Sequence, residues 1–140
     1  RRSGMFFFTA SAATGLYTRS AAIAPPVPLR TLTSAAVVAA AAVELRSTLR
    51  LTHAMVITRG PEGATVADAA DRAERIPAAH VEDVFDTVGA GDTAIAVLTL
   101  AVAAGAPLSD AVRLANAASG IVVRRVGNYA PSLDELRREL

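Results

Sequence analysis

The sequence predicts an α/β fold, on three observations. An alanine-, valine- and leucine-rich stretch from Thr31 to about Leu49 has helical character, and the pattern then changes to a short β-branched run, His53 to Thr58, of strand type. A glycine-bearing turn, Asp86 to Asp92, joins a short apolar run to a helix built of small and apolar residues. Two further capped helices come after it, with no internal repeat and no low-complexity linker.

Residues 1–30 form an unassigned N-terminal segment without clear periodicity, and Pro25, Pro26 and Pro28 separate it from the rest of the chain. Arg1 and Arg2 ahead of MFFFTASAATGL give the outline of a signal peptide, but small and hydroxyl residues dilute the apolar run. The plain reading is the end of a fragment. Residues 31–140 form the second segment, in which Thr33 or Ser34 is placed to cap the first helix. The apolar stretch Ala35 to Val43 stops at Glu44 and Arg46, far short of the ~20 residues that span a bilayer, so no membrane partner is expected.

The strand from His53 to Thr58 stops at Arg59, Gly60 and Pro61. Gly63 to Val66 and Arg75 to Ala78 read as two more strands, and Val84 with Phe85 as the end of another. A helix is expected from Ala90 to Ala104, ended by Gly105 and then Pro107. Ser109 and Asp110 are placed to cap the next, to about Arg124, with Gly127 as its stop. Ser132 is placed to cap the last, through Leu136, with Glu135 at capping-box spacing.

Composition narrows the function classes. A chain of 140 residues, 52% hydrophobic, can bury a core and is not a disordered tail. Its 14 basic residues are scattered among 13 acidic ones for a net charge of +1, so no basic stripe for nucleic acid is present. The absence of cysteine excludes a disulfide framework, a thiolate zinc site and a cysteine nucleophile. His53 and His80 stand far apart and read as surface or strand-edge residues, so no metal cluster is expected.

The chemistry concentrates in DTVGAGD, Asp86 to Asp92. Gly89, Ala90 and Gly91 at the start of a helix allow successive backbone N–H groups to point at an anion at the positive end of the helix dipole. Glycine on both sides of Ala90 removes side chains that would block a phosphate. Asp92 falls in the first helical turn, where its carboxylate can face whatever lies beside the anion and receive a nucleophile's proton. A glycine turn alone is more often plain punctuation, and Asp92 alone a helix-start acid; the two aspartates in one motif favour chemistry. No Gly-Lys-Ser/Thr comes next, as a Walker loop requires, and the third glycine of a dinucleotide fingerprint is missing.

Read as D-T-x-G-A-G-D and then TAIAVLTLAVAAG, the segment resembles the second signature of the ribokinase-like (PfkB-type) carbohydrate kinases. VITRGPEGATV, Val56 to Val66, is similar to that family's strand and glycine loop that reaches the nucleotide. LANAASGIVVRRVGNYAPS, Leu114 to Ser132, is similar to its helix and loop beside the adenine. FDTVGAGDTAIAVLTLAVAAG and RLANAASGIVVRRVG most resemble the heptose 7-phosphate kinase branch. The likeness runs from about His53 to the C-terminus and more weakly from Thr31. A glycine-pair signature, a sugar-binding segment and an Asn-x-x-Glu motif are not found in the sequence.

The resemblance implies a ribokinase-like three-layer sandwich, of which residues 31–140 would be the C-terminal nucleotide-binding portion only. It implies ATP, Mg²⁺ and K⁺ as cofactors, and Asp92 as catalytic base. Gly89, Ala90, Gly91 and Asp92 would bind phosphate, and Thr58, Gly60, Gly63 and Asn116 the nucleotide. Asp86 and Val88 would belong to a monovalent-cation loop, although Asp86 reads equally as an acceptor of local backbone hydrogen bonds. Arg59 reads either as a nucleotide-phosphate contact or as a solvated side chain. The implied partners are a sugar phosphate and ATP in the cytoplasm, with a homodimer in the full-length family. The implied reaction transfers the ATP γ-phosphate to the C1 hydroxyl of heptose 7-phosphate, on the route to ADP-heptose for lipopolysaccharide. The alternatives are a non-catalytic nucleotide-binding remnant and a ribokinase-type enzyme acting on another sugar or a nucleoside.

Overall fold

A computed structural model describes residues 6–9 as backbone, and residues 34–79, 81 and 84–140 in full. His80, Thr33 and most of the N-terminal segment lie outside these residues. The described elements are β1 (Phe6–Thr9), α1 (Ala35–Thr48), β2 (Met55–Thr58), a 3₁₀ turn (Gly60–Glu62), β3 (Ala64–Ala67), β4 (Ala73–Ile76), α2 (Ala90–Ala103), α3 (Leu108–Val123) and α4 (Leu133–Glu139). They divide between two compact units. One holds the described residues up to Gly60 with Thr65–Arg75, and the other holds Pro61–Ala64 with Ile76–Leu140.

In the first unit, Ser34 caps α1: its side chain accepts the Val37 N–H at 3.3 Å. Val38 and Ala42 lie one turn apart on the buried stripe of α1 and join Leu51, Met55, Ile57 and Ala67 in a core cluster. The sheet order is β1-β2-β3-β4, and β1 pairs in parallel with β2, Phe6 opposite Met55 and Thr9 opposite Thr58. β2 is buried from Met55 through Ile57, as its unbroken apolar run requires. Asp68 closes the link from β3 to β4: its N–H donates to the Arg72 carbonyl at 2.9 Å, and its carboxylate accepts the Ala70 and Arg72 N–H groups. Arg46 of α1 is ion-paired with Asp71 in that link.

In the second unit, α2 and α3 pack against each other. α2 buries Ala94 and Leu98, one turn apart, whereas α3 buries Ala111, Val112, Ala115, Ala117, Ala118, Gly120, Ile121 and Val122. The alanines and Gly120 allow close approach. A Cβ at Gly120 would stand 3.0 Å from the Ala79 Cβ. α4 carries a complete capping box between Ser132 and Glu135 and extends to Glu139, beyond the predicted Leu136.

Four sequence expectations need correction. The strand predicted at Arg75 to Ala78 lies earlier, at Ala73–Ile76, because Pro77 has no N–H for a ladder and the hairpin closed by Asp68 and Arg72 sets the register. Val84 and Phe85 end no strand; the Phe85 and Asp86 N–H groups instead donate to the Val123 carbonyl at 2.8 and 3.2 Å. α3 starts at Leu108 with Pro107 as its N-cap, so Ser109 and Asp110 lie inside the first turn and do not cap it. Gly127 is not its stop either: the helix ends at Val123 with Arg124 as C-cap.

Candidate active site

The predicted anion turn is the start of α2. Gly89 is the N-cap, at φ 79° and ψ −9°, a left-handed conformation that side chains resist and that brings the chain sharply into the helix. The first intrahelical bond runs from the Thr93 N–H to the Gly89 carbonyl at 2.9 Å. The Gly91 and Asp92 N–H groups therefore lie ahead of the helix's own bonding, at its positive end. The Ala90 N–H meets the Thr87 carbonyl at a long 3.4 Å, which leaves Gly91 and Asp92 as the better donors of the predicted set. Asp92 is exposed in this first turn.

Three contacts fix the turn to α3 and the loop after it. Asp86 uses both carboxylate oxygens, Oδ1 accepting the Val88 N–H and Oδ2 the Gly127 N–H, each at 3.0 Å. These bonds, Val88 first and then Gly127, hold the Asp86 carboxyl below its ordinary value. The Phe85 and Asp86 N–H groups satisfy the Val123 carbonyl, which the end of α3 leaves open. Ser119 Oγ, on α3, donates to the Ala90 carbonyl at 3.0 Å. The sequence carried no local sign of Ser119, a serine in an alanine-rich helix. It carried one for Gly127, whose φ of 77° fits a glycine and whose N–H serves Asp86.

The predicted nucleotide residues fall into two groups. Gly63 and Asn116 meet on one backbone segment: Asn116 Nδ2 donates to the Pro77 carbonyl at 2.8 Å and lies 3.4 Å from the Ile76 carbonyl. A Cβ at Gly63 would stand 2.5 Å from the Pro77 carbonyl carbon and the Ala78 nitrogen. Asn116 thus spends its amide nitrogen on the chain and keeps its oxygen as an acceptor. Thr58 ends β2 and Gly60 opens the 3₁₀ turn; both belong to the first unit, and Gly63, Asn116 and the α2 turn to the second. Arg59, which separates Thr58 from Gly60 in the chain, is half-buried. His53 is exposed, its Nδ1 2.9 Å from Thr52 Oγ1.

A groove of about 430 Å³ lies elsewhere in the second unit, lined by Ile121, Arg124, Arg125, Glu135, Arg138 and Glu139. Two of its three arginines are ion-paired, Arg124 with Glu139 and Arg125 with Glu135 at 3.2 Å, and the Arg138 Nε donates to the Asp134 carbonyl. Among the described residues no group of three or more His, Cys, Asp or Glu side chains is arranged to hold a metal, and no helix is long and apolar enough to cross a membrane.

Comparison with known proteins bears on the family and the fold. Residues 25–135 match the pfkB family carbohydrate kinase profile. The bifunctional protein HldE of Methylobacillus flagellatus is 50% identical over 101 residues, 72% of this chain and 20% of that protein. HldE of Pseudomonas putida F1 is 47% identical over 87 residues, 62% of this chain and 18% of that protein. The chain thus spans about a fifth of the length of these curated relatives. Phosphofructokinase-2 of Escherichia coli, solved with substrates and products, superposes with a TM-score of 0.66 at 29% identity, over 76% of this chain and 34% of its own. Arabidopsis thaliana ribokinase, solved with ribose and ATP, superposes with a TM-score of 0.69 at 21% identity, over 76% of this chain and 34% of its own, and so speaks for the fold.

Proposed function

Since the chain belongs to the pfkB family of carbohydrate kinases, we propose that it carries the phosphate-binding turn and the general base of an ATP-dependent sugar kinase. One observation carries this reading. Asp92 is exposed in the first turn of α2, beside N–H groups that precede the helix's own hydrogen bonding. An acceptor hydroxyl held there gives its proton to the Asp92 carboxylate as its oxygen attacks the γ-phosphorus, and the bond from that phosphorus to the β,γ-bridging oxygen breaks, so that ADP leaves with the electron pair. The Gly91 and Asp92 amides then meet the charge that grows on the transferring group, with Gly89 and Ala90 shaping the turn. Thr58, Gly60, Gly63 and Asn116 are assigned to the nucleotide, Asn116 through the amide oxygen it keeps.

The cofactors are ATP and Mg²⁺, with K⁺ beside the turn. Magnesium in such enzymes is held mostly by substrate phosphates with one or two carboxylates. When bound, it neutralises phosphate charge. We assign Asp86 and Val88 to a monovalent cation on the family motif, with the Asp86 carboxylate held in place by the Val88 and Gly127 N–H groups. Escherichia coli phosphofructokinase-2 has been solved in complex with potassium.

The acceptor we assign is heptose 7-phosphate, phosphorylated at its C1 hydroxyl in the cytoplasm as a step toward ADP-heptose. Identity near 50% to HldE proteins, together with FDTVGAGDTAIAVLTLAVAAG and RLANAASGIVVRRVG, supports it over other sugars. The test has two arms. Calorimetry with ATP on this chain should register binding. A complete kinase carrying the segment should turn over heptose 7-phosphate far faster than ribose, fructose 6-phosphate or a nucleoside. ATP binding without turnover of any sugar would leave a nucleotide-binding remnant, and preference for another acceptor would move the chain to a different branch.

A further inference from the structure

We infer that Ser119 is a positioning residue that aims the Gly91 N–H at the phosphate. The inference rests on the α2 turn being the anion site. In a planar trans peptide the C=O and N–H of one unit point in opposite directions, so whatever fixes the Ala90 carbonyl also fixes the Gly91 N–H. Ser119 Oγ donates to that carbonyl at 3.0 Å. That peptide unit lies in the first turn of α2, inside the ring closed by the Thr93 N–H and the Gly89 carbonyl, and the Ser119 hydroxyl adds a tertiary contact where Gly91 restrains its own backbone least of all residues.

Ser119 itself stands on a firm base. Its neighbours Ala118, Gly120 and Ile121 are buried, so the hydroxyl is presented by the most enclosed stretch of α3. The contact spans 29 residues of sequence and joins two helices that already pack together. Asp86 holds the turn from the opposite end, through Val88 and Gly127. Between these two latches the donors are set before an anion arrives, which is the condition under which fixed amides stabilise charge without reorganising. Ser119 touches neither substrate nor nucleotide in this scheme and acts through the Ala90 peptide alone.

The test is a titration of the ¹⁵N-labelled chain with inorganic phosphate, read at the Gly91 and Asp92 amides. In the parent chain both signals should move. Ser119→Ala should weaken phosphate binding about two- to tenfold while the remaining amide spectrum stays folded, and Ser119→Thr should restore it. A purely structural role would lower the melting temperature yet leave the affinity of the folded chain unchanged. Equal affinity of the parent and Ser119→Ala chains would therefore overturn the inference. Should Ser119→Ala disturb the start of α2, Ser119→Thr and Ser119→Val, alike in shape and different in the hydroxyl, decide the matter, and equal affinities again overturn it. If phosphate leaves the Gly91 and Asp92 amides of the parent chain unmoved, the anion site itself fails, and this inference falls with it.

Discussion

Gly127 donates its N–H to Asp86 Oδ2 at 3.0 Å across 41 residues of sequence, so the loop after α3 and the turn before α2 are held by one carboxylate. Asp86→Asn keeps the size of the side chain but replaces one oxygen by a donor, so one of the Val88 and Gly127 N–H groups loses its acceptor. We expect hydrogen exchange at one of these two amides to rise about tenfold while α2 and α3 keep their protection. The pH dependence has a definite sign. The Asp86 carboxyl is held below its ordinary 3.8, so its contribution is complete above that value and is lost as pH falls through the lower, folded one. Exchange measured on either side of that window in the parent and the Asn chain should converge at the acid end.

The C-terminal helix offers a second acid-sensitive contact. Glu135 accepts the Ser132 N–H at 2.9 Å and the Tyr129 hydroxyl at 2.8 Å, and its carboxyl is lowered to about 2, chiefly by the Ser132 backbone. The folded value being depressed, Glu135 stabilises α4 above its ordinary 4.5, and that contribution disappears between 4.5 and about 2 as pH falls. The Tyr129 hydroxyl, which donates to Glu135, is raised above 10.0 mainly by that bond, so its own contribution is complete below 10.0 and lost as pH rises through the folded value. Glu135→Gln should melt below the parent at neutral pH and draw level in acid. Ser132→Ala, which removes the N-cap oxygen, should cost about 1 kcal/mol.

Two glycines at positive φ separate strain from collision. Gly89, at φ 79°, would meet Asn128 Oδ1 at 3.4 Å with an added Cβ, an ordinary contact, so Gly89→Ala should cost only the left-handed strain of about 1–2 kcal/mol. Gly63, at φ 85°, would collide with backbone of Ile76, Pro77 and Ala78, none of which is a flexible side-chain end. Gly63→Ala should cost about 3 kcal/mol or more, since strain and overpacking add. Urea unfolding of the two variants tests the difference; equal losses would refute the collision at Gly63.

These contacts also explain how much was legible in the chain. The helices announced themselves through local signals: Ser34, the glycine pair around Ala90, and Ser132 with Glu135 all act within a few residues. The α2 turn was legible for the same reason, since its motif is contiguous. β4 was misplaced because Ala73, Glu74 and Arg75 are exposed and give no apolar pattern, while the turn that sets their register depends on Asp68. Val84 and Phe85 have the apolar character of a strand, yet Phe85 bonds to Val123 and both side chains are exposed. Ser119 and the commitment of Asn116 to Pro77 are long-range pairings with no local trace. Thr58 and Gly60 are expected at the nucleotide from family resemblance alone, and no local pattern in the sequence points to that role.

In a complete kinase carrying this segment, where both substrates are held, Asp92 can be tested directly. Asp92→Asn preserves volume and still accepts a hydrogen bond, but it cannot take up the acceptor's proton at neutral pH. Its exposure in the first turn of α2 means that little packing is lost, and the first helical bond, between Thr93 and Gly89, does not involve its side chain. Helix content and melting temperature should therefore change little. Loss of a positioned general base should lower kcat by about 10²–10⁴-fold, whereas KM for ATP should hardly move, because the interaction removed matters chiefly in the transition state. Gly91→Val gives the contrasting outcome: a branched side chain beside the phosphate donors should weaken ATP binding and turnover together. An Asp92→Asn enzyme with nearly full kcat at saturating ATP and sugar phosphate would return Asp92 to the role of an ordinary helix-start acid, with the proton leaving by another route.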